Sequence, residues 1–152
     1  MELKMYKFDP PEYTKHKAYP GLKTAASMFL TVGGYSNKEW GLDDASNAQR
    51  FVYSMAGVRR ILPAKFPGDP SAALVGKKDP AKEPLTLEQA ALTIGSAVGL
   101  RPEQRTLEEL KTRGWLSQDS LSKIADPNKL TNGEAFLLIH DIVKNYAGVS
   151  YD

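Results

Sequence analysis

Leu130-Thr131-Asn132-Gly133-Glu134-Ala135-Phe136-Leu137-Leu138-Ile139-His140-Asp141-Ile142-Val143-Lys144-Asn145-Tyr146 is the stretch on which the fold class turns. Thr131 to Glu134 has the form of a capping box, in which a Thr hydroxyl and a Glu carboxylate satisfy N–H groups left over at a helix start. Behind it, Ala135, Leu138, Ile139, Ile142, Val143 and Tyr146 return at three- and four-residue steps and make one apolar helical face. Two more boxes lie upstream. Thr86-Leu87-Glu88-Gln89 opens an apolar run through Ile94 and Val98 to Gly99, and Thr106-Leu107-Glu108-Glu109 opens a short helix that stops near Gly114. Ser117 to Ser120 reads as loop. No stretch sustains two-residue alternation, so the chain is expected to be all-α.

Outward from these boxes the pattern weakens. Leu22, Ala25, Ala26, Phe29 and Leu30 predict a helix from Gly21, ended by Gly33-Gly34. Asp43-Asp44 predicts the start of another, with Ala48, Phe51, Val52, Met55 and Ala56 as its stripe and Gly57 as its close. Residues 1–20, with Asp9-Pro10-Pro11 and Tyr19-Pro20, read as an extended N-terminal arm, because proline lacks a backbone donor and restricts its predecessor. Residues 21–152 then form a single helical domain. Starts at Asp44, Thr86 and Thr131 lie 42 and 45 residues apart. Each follows a short apolar segment that ends in glycine and a polar loop. This predicts three short-helix/long-helix pseudo-repeats, about 21–58, 69–100 and 105–148, stacked around one core.

Composition bounds the chemistry. The 152 residues are 41% hydrophobic and 25% charged, as in a folded globular chain. No cysteine is present, which excludes thiolate metal sites, disulfides and a cysteine nucleophile. Two histidines, His16 and His140, are too few for a zinc site of three or four protein ligands. Asp126 to Glu134 only partly follows a calcium loop, because Lys129 and Leu130 interrupt the alternating oxygen ligands. No phosphate-binding glycine loop, nucleophile elbow or catalytic carboxylate pair is apparent, so neither a cofactor nor an enzyme is expected. The formal charge of +2 is too weak a bias to imply a nucleic-acid partner, and none is expected. The charge is uneven: residues 1–76 carry +3 and residues 77–152 carry −1. No apolar run reaches the ~20 residues of a membrane span. The N-terminus lacks the apolar core of a signal peptide, which leaves a cytoplasmic protein or an excised mature piece.

The combination of a short helix ending in a glycine and a hydrophobic residue, a loop, and Leu-Thr-x-x-Glu-Ala resembles the S-layer homology module. Leu107 to Leu116 followed by Leu130 to Ile139 carries the resemblance best, Leu85 to Leu92 matches the second half of a unit, and Leu42 to Phe51 matches more loosely. The resemblance covers about residues 20–148. It implies anchoring to an anionic cell-wall glycan at the cell surface, through an arginine in a Thr-Arg-Ala-Glu cap. This chain holds Asn132, Leu87 and Ala45 at that position, and it lacks the aromatic-Ala pair that opens family units.

The candidate binding residues are Trp40 and Trp115, in or beside loops between short and long helices, with Arg59, Arg60, Arg101, Lys111 and Arg113 at helix ends, and Asn132 at the cap. Aromatic platforms with cations suit sugar rings and carboxylates, or a protein hot spot. The competing expectation is that both tryptophans are core residues and that the cations cap helix C-termini. A second functional class stays open: an intracellular or phage structural protein that acts through a helical interface with a protein partner, including a homo-oligomer.

Overall fold

The computed structural model describes residues 15–31 and 40–151. It is all-α: α1 (Tyr19–Ser27), α2 (Ala48–Ile61), α3 (Leu87–Val98), α4 (Leu107–Thr112), α5 (Gln118–Ser122) and α6 (Asn132–Asp141). Two 3₁₀ turns, Pro70–Leu74 and Pro102–Gln104, sit before and after α3, and a π-helical turn, Ile142–Tyr146, extends α6. Among the described residues no helix is long and apolar enough to cross a membrane.

Cap chemistry explains where the helices begin. Thr86, Thr106 and Thr131 each accept a hydrogen bond from the backbone N–H three residues on. Such a cap contributes about 1 kcal/mol. Only Thr131 belongs to a closed box, because Glu134 returns a bond from the Thr131 N–H at 2.9 Å. Gln89 instead donates to the Ala73 carbonyl, and Glu109 turns outward to Arg113. The start of α2 differs from the sequence expectation. Asp43 and Asp44 are exposed in a turn, and Asn47 is the cap, accepting from the Arg50 N–H at 2.8 Å.

Four further boundaries are corrected. Tyr19 and Pro20 belong to α1 rather than to an arm, since proline in a first turn forfeits only an N–H that the helix leaves unused. α1 ends at Ser27, before Gly33-Gly34, which lie outside the described residues, as does the arm from 1 to 14. Phe29 is therefore off the helical stripe and 82% exposed. α2 runs four residues past Gly57, which is buried: a Cβ there would meet the Leu30 side chain, so this glycine makes room for a neighbour rather than ending a helix. Ser117 to Ser120, expected as loop, begins α5, with the Ser117 hydroxyl as its cap.

The three longest helices bury equivalent positions. Counted from their caps, the residues four, eight and eleven on are Phe51, Met55 and Val58 in α2; Ala90, Ile94 and Ala97 in α3; and Ala135, Ile139 and Ile142 in α6 and its extension. All nine are in the core, at most 4% exposed. The segments ahead of the caps bond to one another pairwise. Ser46 N–H donates to Leu130 and Gly133 N–H to Leu42; Ala48 N–H donates to Glu83; Leu130 N–H donates to Leu85 and Leu87 N–H to Pro127. The result is a closed three-way junction of backbone, with Leu42, Leu85 and Leu130 fully buried in it. Around it α1 packs on α6, the 70–74 turn on α2 and α3, and α4 on α3.

α1 is drawn tightly onto α6. A methyl group at Gly21 would overlap the Phe136–Leu137 backbone. Lys17, just ahead of α1, donates to both the buried Glu134 carboxylate and the Lys123 carbonyl at 2.8 Å. His16 adds a second tie. Its Nδ1 accepts from the Ala18 N–H, and its Nε2 is 2.8 Å from the Asp43 carboxylate.

Candidate functional site: an aromatic and cationic face beside a polar cavity

α4 ends at Thr112, and the chain turns through Gly114 at φ +74 before Ser117 caps α5. Arg113 and Trp115 stand on this turn. The Arg113 guanidinium lies over the indole at 5.0 Å and pairs with Glu109, one helical turn back, at 3.0 Å. The half-buried indole meets Tyr146 edge-on, with ring centroids 4.5 Å apart. Tyr146 in turn packs edge-on against Phe66 at 5.4 Å, and the Lys65 ammonium lies 5.8 Å from the Tyr146 ring centre. The Tyr146 hydroxyl donates to the Lys65 carbonyl at 2.6 Å. Burial pushes that phenol above its ordinary value, which keeps it a neutral donor. Two cations and two rings thus form one continuous face.

A π turn carries the Tyr146 ring: Ile142–Tyr146 extends α6, and such turns recur at functional sites. Tyr146 faces Trp115 and Phe66, while the Asn145 amide donates to the Trp115 carbonyl at 3.3 Å. Asn145 and Lys144 also border a cavity of about 190 Å³ between α1, α5 and α6, whose walls include Pro20, Ser117, Leu137 and His140.

The cavity wall is fixed by a buried carboxylate. Asp141 accepts from the Ser117 N–H at 2.7 Å, the Ser117 hydroxyl at 2.9 Å and the Ser120 hydroxyl at 2.9 Å. These bonds hold the start of α5, two residues beyond Trp115. His140 Nδ1 shares a 2.8 Å hydrogen bond with the Thr24 hydroxyl of α1. Both serine protons point at a carboxylate rather than at an imidazole, which is not the relay that activates a nucleophile. No group of three or more His, Cys, Asp or Glu able to hold a metal occurs among the described residues. Asp126 and Glu134 serve the loop and the cap: Asp126 accepts from the Asn128 N–H, and Glu134 from the Thr131 and Ala125 N–H groups and Lys17.

The sequence candidates separate into distinct places. Arg113 and Trp115 come together. Trp40 is 3% exposed within the core and presents no platform to solvent. Asn132 is equally buried and donates to the Gly41 carbonyl at 3.0 Å, because the 41–44 turn lies over the start of α6. Neither side chain faces a ligand. Arg59 and Arg60 occupy the last turn of α2, where cations favour the helix C-terminus. Arg101 pairs with Glu103 at 3.3 Å beyond α3, and Lys111 is exposed on α4. Sequence reading passed over Lys65, Lys144, Asn145 and Tyr146 as binding groups, because Tyr146 satisfied an apolar periodicity and the others carried no pattern. Family models, curated proteins and solved structures yield no match to this chain.

Proposed function

We propose that this chain is a non-catalytic binding module, a divergent relative of S-layer homology modules, that anchors to an anionic cell-wall glycan. The observation that carries this is the Arg113–Trp115–Tyr146–Lys65 face. A half-buried indole offers a flat apolar surface to the C–H face of a sugar ring, and flanking cations suit the carboxylates of an acidic polymer. The reading places binding here, not at the cap position of the family arginine, where Asn132 is buried. Three pseudo-repeats are part of the proposal. In their support, three capped helices bury the same register and three pre-cap segments close on one another. Caps at Asn47, Thr86 and Thr131 make the periods 39 and 45 residues.

Titration of the full chain with polygalacturonic acid, followed by tryptophan fluorescence, tests the site. Trp40 is enclosed, so Trp115 reports. A saturable change is expected, lost in Trp115→Ala and weakened about tenfold in Arg113→Ala. Equal binding by Trp115→Ala would overturn the assignment.

A further inference from the structure

The end of α1 carries a strained aromatic residue. The Phe29 N–H donates to the Ala26 carbonyl at 3.1 Å and the Leu30 N–H to the Ala25 carbonyl at 2.9 Å, the paired bonds of a Schellman end. The left-handed position of such an end usually holds glycine. Here it holds Phe29, at φ +56, with its ring in solvent. Strain at a bulky residue whose side chain the core does not take up points to a role outside the fold. Leu30, the next residue, lies on Gly57 of α2. At about 100° per residue, Arg50, Tyr53, Gly57, Arg60 and Ile61 share an arc of about 100° on α2, and Phe29 borders that row. Tyr53 and Ile61 are exposed, and the Gln49 amide donates to the Tyr53 hydroxyl at 2.8 Å. α2 holds three arginines and no acidic residue. Arg59 lies near Asp69, and Glu83 and Asp79, close to the start of α2, are paired with Lys77 and Lys82. Among the described residues Arg50 and Arg60 have no ion-pair partner. The row thus combines apolar groups with two uncompensated guanidinium groups.

We infer that this face docks the protein on an anionic phospholipid surface, lying on the bilayer and not crossing it. The groups suit successive depths of a lipid interface. Phe29 and Ile61 supply apolar side chains for the acyl boundary, the Tyr53 phenol suits the headgroup level, and the arginines reach phosphates from long apolar stems. A second copy does not fit, because α2 against α2 sets arginines on arginines. An acidic protein would need a pocket for the Phe29 ring, whereas a fluid acyl layer needs none. Flotation of the full chain tests the inference, with vesicles of phosphatidylcholine alone and of phosphatidylcholine with about one-third phosphatidylglycerol. Binding is expected to the anionic vesicles and not to the neutral ones, with release as salt rises. Phe29→Gly should weaken binding about tenfold yet raise the Tm, because glycine is relaxed at that φ. Arg50→Gln/Arg60→Gln should weaken it about tenfold with little change in Tm. No binding to anionic vesicles, equal binding to neutral ones, or unchanged binding by Phe29→Gly overturns the inference. A lower Tm in Phe29→Gly does so too, by showing that the ring serves the fold. Binding of a poly-glutamate peptide through Arg50 and Arg60, without vesicle binding, would assign the face to an acidic protein instead. No residue is shared with the Trp115 face, so the glycan proposal and this one fail separately.

Discussion

Glu134 shows most plainly how one side chain links sequence, fold and site. It is 1% exposed, and burial alone would raise its carboxyl. The Lys17 ammonium and the Thr131 and Ala125 N–H groups outweigh that burial and hold it below its ordinary value of 4.5. A depressed carboxyl contributes stability above its unfolded-state value, and that contribution disappears as pH falls through the folded value. Urea midpoints should therefore fall as pH drops below about 4.5. Glu134→Gln should lose about 2–3 kcal/mol at pH 7 and show a shallower acid dependence. An unchanged acid slope in that variant would show that other groups control the transition. The candidate ligands at this scale divide by burial. Trp115 and Arg113 were legible because they are sequence neighbours on a glycine turn. Asn132 was misleading because the 41–44 turn folds over it, and Trp40 because it is enclosed in the core, which no local pattern records.

At the scale of elements, helices with a local reason to start were legible. Thr86, Thr106 and Thr131 cap through an oxygen three residues from its N–H partner, so the signal lies within one turn. Asn47 was missed because Asp43, Asp44 and Asn47 are all competent caps. Contacts from distant segments choose among them: Ser46 N–H to Leu130 and Ala48 N–H to Glu83. Gly57 was taken for a stop because the Leu30 side chain that needs its missing Cβ comes from the distant segment after α1. The packing of α1 on α6 depends on a similar economy at Gly21. Gly21→Ala should lower stability by about 3 kcal/mol, since its methyl would meet backbone that cannot step aside. Thermal unfolding measures this. A loss below half that value would mean that α1 is less tightly docked than described. The π turn had no sequence signature, and the contact of its last residue, Tyr146, with Trp115 spans thirty-one residues.

At the scale of the whole molecule, the all-α class was legible from periodicity alone, because capped apolar stripes and the absence of alternation admit little else. The proposed binding face was not legible. Lys65 and Tyr146 are eighty-one residues apart and meet only because the 62–66 turn and the end of the chain pack on the same core. The positive excess lies in the first half of the chain, yet the proposed face draws one cation, Lys65, from that half and Arg113 from the second. Residues 1–14, which hold Lys4 and Lys7, lie outside the described structure. Co-sedimentation of the full chain with purified cell-wall sacculi tests the account most directly. The account predicts retention at low salt, release as ionic strength rises, and loss of retention in Trp115→Ala with folding intact. A chain that stays in the supernatant, and instead self-associates in analytical ultracentrifugation, would contradict it.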